Sequence, residues 1–218
     1  ETMKINAFNH AKSFDLPRIL PIYEEIYYRL LKWLNVMLKI GITGGIGVGK
    51  TYISNIIEKM GYPVFYADQT AKDLVKSDYK LIESIKKEFG YDIFLDEKID
   101  SKKLSNIVFG DSNALNKLNS IIHPFVFEKF AEWCKNQKNQ KIVFKEAAIL
   151  FESRSHLDLD KVICVSADKK IRIDRIKLRD GRSENEINQI ISKQMDQQEK
   201  EKLSDFIIKN NGRESILL

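Results

Sequence analysis

The chain has 218 residues, 43% of them apolar and 31% charged. It is large enough to bury its own core, which excludes a disordered chain, a collagen-like repeat and a disulfide-built miniprotein. Its net charge of +5, from 36 basic and 31 acidic residues, is modest and suits a phosphate-rich small ligand as well as a nucleic acid.

Residues 1–36 read differently from the rest. Pro17 and Pro21 punctuate the segment, and Ile22, Ile26, Leu30 and Leu34 then recur every four residues with Glu24, Glu25, Arg29 and Lys32 between them. That spacing predicts an amphipathic helix over 19–35. It lacks the basic start, pure apolar run and small-residue cleavage site of a signal peptide. The chain opens on Glu1, and the segment is expected to be an extension, with Met37 the native initiator of a domain over 37–218.

A short apolar strand over 38–43 leads into a glycine-rich turn and a helix over 52–60 with Ile53, Ile56 and Ile57 inward. A second strand covers 63–66, and the pattern over 71–89 is helical. Further helices are predicted over 101–109 and 113–134, the latter interrupted by Pro124. Strand-length apolar runs occupy 141–144, 162–165 and 206–208, with helices over 167–178 and 184–197. Strands separated by long helices imply crossover connections, hence an α/β class: a three-layer fold with a parallel five-stranded sheet covered on both faces. No stretch approaches about eighteen consecutive apolar residues, so no membrane partner is expected. Cys134 and Cys164 are far apart and outside any metal-spaced pattern, so a reducing, cytoplasmic setting is expected.

Gly44-Gly45-Ile46-Gly47-Val48-Gly49-Lys50-Thr51 matches G-x-x-x-x-G-K-[ST] in full, between a strand and a helix as that motif requires. The glycines permit conformations closed to other residues and bring backbone amides close to an anion at a helix N-terminus. Lys50 supplies a mobile charge for the β- and γ-phosphates, and the Thr51 hydroxyl is placed to coordinate Mg²⁺. The motif points to a nucleoside triphosphate, without identifying the acceptor. No strand ends in four apolar residues and Asp, and no N-K-x-D for guanine is found, so a motor or GTPase is disfavoured. A small-molecule kinase fits, and it needs a base near the acceptor hydroxyl and a cationic lid.

Asp68 follows the second strand. Ligands of a parallel sheet bind at the carboxyl ends of its strands, so Asp68 is expected on the same edge as the phosphate loop. It reads as the base that orients the acceptor hydroxyl and takes its proton, as a helix N-cap for Gln69 onward, or as both. Between Lys161 and Arg182 eight Lys/Arg face three Asp. Arg172, Arg175 and Arg179 stand three and four residues apart, so they can share a helix face and offer their planar donor forks to phosphate.

Together these residues resemble the dephospho-coenzyme A kinase family over about residues 37–212. The resemblance rests on an ordered set: Thr43 to Thr51, Ala67-Asp68, His123-Pro124, Ile149-Leu150-Phe151-Glu152, Arg175 to Asp180, and Asn210-Asn211-Gly212. It implies a P-loop NTPase fold, with acceptor-binding helices over about 70–135 and a lid over about 175–200. The implied reaction is phosphorylation of the ribose 3′-hydroxyl of dephospho-coenzyme A by ATP with Mg²⁺. By position, Asp68 is then the base, Lys50 and the lid's Arg175 act in catalysis, and Thr43 sits beside the transferring phosphate. Gly45, Ile46, Gly47, Val48, Gly49, Lys50, Thr51, Tyr52 and Arg179 would meet ATP, with Asn211 and Gly212 near its adenine. Asp68, Lys72 and His123 would meet the acceptor, although His123 also reads as a core or helix-kink histidine. No nucleic-acid partner is implied, and a monomer or weak homo-oligomer is expected.

The sequence departs from the family pattern at Tyr52, where a small hydroxyl is usual, at Tyr66, where an acid is usual, at Lys72, where Arg is usual, and at Ala148, where Pro is usual. Glu146 reads either as the holder of a metal-bound water or as a cap. Only residues 213–218 follow Gly212, so the family's closing helix is expected to be nearly absent. Two other readings stay open: a P-loop kinase of another nucleoside or small acceptor, and a nucleotide-binding module without activity.

Overall fold

The computed structural model describes residues 37–95 and 98–212. The expected helix over 19–35 lies outside the described residues. The apolar runs form strands β1 (Leu38–Thr43), β2 (Val64–Tyr66), β5 (Ile142–Glu146), β6 (Lys161–Ser166) and β7 (Phe206–Lys209). They make one five-stranded sheet in the order β2-β5-β1-β6-β7, every pair parallel. Two-residue strands β3 (Phe94–Leu95) and β4 (Lys98–Ile99), not foreseen, pair antiparallel apart from it.

The register positions the site. Glu146 pairs with Ile42 of β1 and with Tyr66 of β2. The carboxyl ends of these three strands are therefore level, and the loops that leave them share one edge of the sheet.

Helix α1 (Lys50–Lys59) lays Ile53 and Ile57 on one face of the sheet, where they join Ile42, Val48, Val64, Phe144 and Val165 in a buried cluster. Helices α2 (Ala67–Ser77), α3 (Tyr79–Phe89), α4 (Ser101–Gly110) and α5 (Ser112–Asn136) follow β2 in chain order, α3 to α5 around the small hairpin. The Phe65 ring lies 5.2 Å from that of Phe130 and 5.6 Å from that of Trp133, both on α5. Burial of each such aromatic contributes about 1.5–3 kcal/mol. After β6 come α6 (Lys169–Asp180), α7 (Glu184–Ser192) and α8 (Gln197–Leu203). Ile173, Ile176 and Ile187 pack together with Ile46, tying α6 and α7 to the glycine loop.

Three expectations are corrected. The helical run over 71–89 is two helices, because Asp78 leaves the helical conformation (φ −89°, ψ 109°) and its carboxylate caps α3 at the Leu81 amide, 2.9 Å away. Pro124 does not interrupt α5. The proline is exposed, and buried Leu118 before it and Val126 and Phe130 after it hold the helix to its neighbours. The helix over 184–197 ends at Ser192, and Asp196 caps a new one by accepting from the Gln198 amide at 2.8 Å. Among the described residues no helix is long and apolar enough to cross a membrane.

Candidate active site

The glycine loop turns from β1 into α1 through Gly44, Gly47 and Gly49, all at positive φ. At Gly49 (φ 91°) glycine is obligatory twice over, since a Cβ there would lie 2.3 Å from Asn210 Nδ2. That amide group is buried and donates to the Val48 carbonyl at 2.9 Å. No side chain caps α1 and no acid stands in its first turn. Its amide end is thus open to an anion.

Lys50 curls back so that its ammonium donates to the carbonyls of Gly44 (2.9 Å) and Gly45 (3.5 Å). Burial holds its pKa below the ordinary lysine value, and the nearby Glu146 and Asp68 carboxylates push it back up. Two loop amides are already engaged. Gly45 N donates to Gln197 Oε1 at 3.0 Å and Ile46 N to Gln194 Oε1 at 2.9 Å. Nothing in the sequence marked these glutamines out from the polar run that holds them.

The arginines of α6 grip the loop from above. Arg172, 5% exposed, donates from Nε to the Ile46 carbonyl at 2.9 Å. Arg175 donates to the carbonyls of Val48 (3.3 Å) and Gly47 (3.5 Å) and to Asn210 Oδ1 (3.4 Å). Arg179 forms a two-pronged pair with Asp180 at 2.7 and 2.8 Å on the surface.

A cleft of about 760 Å³ runs along the sheet edge and brings together Lys50, Thr51, Asp68, Lys72, Glu146, Arg175 and Arg179, with Ile46, Gly47 and Gly49 in its wall. Asp68 sits in the first turn of α2, whose N-cap is Tyr66, so the N-cap reading of Asp68 is corrected. Its carboxylate instead accepts from the Ala148 amide at 3.4 Å. Glu146 forms the cleft floor at the end of β5. Burial raises its pKa above the ordinary carboxyl value, opposed by Lys50.

Thr43, Gly45, Val48 and Tyr52 are not among the residues that line this cleft. Thr43 is fully buried at the end of β1, and its hydroxyl has no partner among the described residues. The Val48 side chain is buried in the core, and its carbonyl accepts from Arg175 and Asn210. Tyr52 is 57% exposed on the outer side of α1. Tyr66 donates from its hydroxyl to Glu58 at 2.9 Å, and burial followed by that carboxylate raises its pKa.

Two further pockets adjoin the cleft. One of about 930 Å³ shares Gln194 with it and is lined by Arg172, Gln197 and Asn211. Asn211 Oδ1 accepts there from the Asp168 amide at 2.9 Å, while Gly212 (φ 71°) has Arg175 Nη2 3.8 Å from where a Cβ would stand. The other, about 210 Å³, shares Asp68 and holds His123. The His123 ring is held below its ordinary pKa by burial and then by Lys145.

A buried ion pair underlies the cleft. Lys200, fully buried, donates to the Ala148 carbonyl at 2.7 Å and to Glu152 Oε1 at 2.8 Å. The same carboxylate oxygen accepts from the Met195 amide at 3.1 Å. One lysine thereby joins the loop after β5, which touches Asp68, to the α7–α8 turn that carries Gln194.

The dephospho-CoA kinase family profile matches residues 38–215. The chain is 34% identical over 180 residues to the dephospho-CoA kinase of Bacteroides fragilis, covering 83% of this chain and 88% of that one. The solved structure of TT1252 from Thermus thermophilus superposes with a TM-score of 0.73 at 29% identity, over 82% of this chain and 91% of that one. Dephospho-CoA kinase from Campylobacter jejuni superposes with a TM-score of 0.57 at 30% identity, over 79% of this chain and 88% of that one.

Proposed function

The chain belongs to the dephospho-CoA kinase family, and from that premise we propose how its residues transfer the γ-phosphoryl group of ATP to the ribose 3′-hydroxyl of dephospho-CoA, giving CoA and ADP. One observation supports the assignment of roles most directly. Lys50 and Asp68, the phosphate-holding cation and the only carboxylate on α2's first turn, line the same cleft at the level ends of β1 and β2. A donor phosphate at the α1 terminus and an acceptor hydroxyl at Asp68 would then meet across it.

Asp68 accepts the proton of the 3′-hydroxyl. The freed oxygen forms a bond to the γ-phosphorus as the bond from that phosphorus to the bridging oxygen of ADP breaks. Lys50, Arg175 and Arg179 carry the charge that spreads onto the transferring oxygens. The β- and γ-phosphates take the loop amides now held by Gln194 and Gln197, so nucleotide binding moves the α7–α8 turn. Lys72 contributes a point charge on the acceptor side, and Asn211 lies beside the pocket that receives the donor base.

The donor set suits Mg²⁺. Thr51 and Glu146 line the cleft as oxygen ligands, and Glu146 has no hydrogen-bond or ion-pair partner among the described residues. Mg²⁺ keeps several waters and takes phosphate oxygens, so it needs few ligands from protein. Thr51 would hold it directly and Glu146 through water, and it would neutralise charge on the donor phosphates.

An ADP-release assay across an acceptor panel tests this reading. Dephospho-CoA is expected to be turned over, and Asp68→Asn to lower kcat by about 10²–10⁴-fold while ATP binding by calorimetry stays intact. Turnover of another acceptor but not of dephospho-CoA would overturn the acceptor assignment. An unchanged kcat in Asp68→Asn would remove Asp68 from the mechanism.

A further inference from the structure

Lys145 is a charge in the wrong place for stability. It lies on β5 one residue before Glu146, yet points to the opposite face of the sheet, and only 2% of it is exposed. Among the described residues its ammonium has no hydrogen-bond or ion-pair partner; its contact is the Phe130 ring, 4.7 Å from Nζ to the centroid. A cation over an aromatic face recovers only part of the hydration lost by a buried ammonium. Burial accordingly pushes the Lys145 pKa down, with only the more distant Asp158 and Cys134 acting against it. Among the described residues the other large side chains that are fully buried are aliphatic or, like Lys200, paired.

Lys145 lines the small pocket of about 210 Å³. The walls are apolar on two sides, Ala67 and Ala71 of α2 and Ile122, Val126 and Phe127 of α5, with His123 and Asn119 as the other polar groups of α5. Asp68 belongs both to this pocket and to the catalytic cleft. Whatever fills the pocket therefore ends at the base.

From this geometry we infer that Lys145 is a specificity-determining residue for the acceptor: the pocket takes the acceptor's purine, and the Lys145 ammonium donates to a ring nitrogen. The inference rests on the proposed function and deepens it. The ribose that presents its 3′-hydroxyl to Asp68 also carries the base, so the base must enter a space adjoining Asp68. A flat ring edged with acceptor nitrogens matches a small pocket whose apolar walls come from α2 and α5 and whose polar lining includes Lys145, Asn119, His123, Ser153 and Ser155. A donor with no protein partner is free to bond that ring, which makes the bond a test of the ligand's identity.

The test compares the full chain with Lys145→Met and Lys145→Gln by steady-state kinetics with ATP and dephospho-CoA and by thermal melting. Both variants are expected to raise KM for dephospho-CoA about tenfold or more. KM for ATP should stay within about twofold, and Tm should not fall, because an unpaired buried charge has been removed. With an analogue of dephospho-CoA that lacks the base, wild-type and variant proteins should have the same KM. An acceptor KM unchanged in both variants overturns the inference, as does an equal rise in KM for ATP. Failure of both variants to fold also overturns it, since Lys145 would then be a structural contact of Phe130. A difference that persists with the base-free analogue overturns the assignment to the purine. Absence of wild-type turnover with dephospho-CoA would instead sink the proposed function, so the two failures are distinct.

Discussion

Lys145 and Lys200 are both buried in the core beside the cleft, and replacing each by Met should shift stability in opposite directions. Lys200 is the paired one. Its ammonium is bonded to the Ala148 carbonyl and to Glu152, and the Glu152 carboxylate side chain is only 26% exposed. Lys200→Met leaves that carboxylate without its cation and the Ala148 carbonyl without a donor. Breaking a buried pair from one side costs about 3–5 kcal/mol. Partial exposure lets water reach Glu152, so the lower end, about 3 kcal/mol, applies. For a chain of this size that corresponds to a fall in Tm of about 6–12 °C. The damage should not stay local. The Ala148 amide touches Asp68 and the Met195 amide is held by the same Glu152 oxygen, so kcat should fall as well. Addition of ATP should recover part of the lost Tm by ordinary binding linkage. Thermal unfolding followed by circular dichroism, with and without ATP, measures both quantities. A Lys200→Met protein as stable as wild type would refute the reasoning, because it would mean that the pair returns no more than its own desolvation costs.

Other expectations are more compact. Glu146→Gln should raise Tm at neutral pH. Burial lifts the folded-state pKa of Glu146 above its ordinary 4.5, so the ionised group costs stability above that raised value, and the cost disappears below 4.5 where both states are protonated. The Tm advantage of the variant should therefore shrink as pH falls, and a difference independent of pH would show that Glu146 is not strained by burial; the same variant should need more Mg²⁺ for half-maximal rate. Cys164, buried with its thiol pushed up to about 11, and Cys134, also raised by burial, should resist alkylation at pH 8 until denaturant is added, as read by mass spectrometry. Rapid labelling of either in the native protein would contradict the core packing.

Local chemistry explains what the sequence disclosed. A G-x-x-x-x-G-K-[ST] turn has one job, and the strand before it and helix after it are written in apolar periodicity, so the loop, Lys50, Thr51 and the sheet edge followed directly. Asp68 was legible because the carboxyl ends of parallel strands collect ligands, and the register at Tyr66, Ile42 and Glu146 bears out that geometry. Boundaries were harder. Asp78 ends one helix and begins another, and Asp196 begins α8 by side-chain capping, and an acid inside a polar helical run carries no periodic signal until its φ and ψ are known. Pro124 misled for the opposite reason, because packing at Leu118, Val126 and Phe130 outweighs a local break.

The lysines mark where reading from sequence stops. Lys145 and Lys200 look like any other member of a basic chain with 36 Lys and Arg. In a strand written Ile142-Val143-Phe144-Lys145-Glu146, alternation alone would place one of the two charges inward and the other outward. The structure buries both, since the sheet is covered on one face by α5 and on the other by α1, with the cleft at its edge beside Glu146. Glu146 then faces the phosphate site and Lys145 the small pocket that ends at Asp68. Two adjacent opposite charges that cannot neutralise each other, because a strand sends neighbours to opposite faces, are each left to meet a ligand. In the mechanism proposed above, their separation by the sheet would let one site address a metal-bound donor on one side and an acceptor on the other.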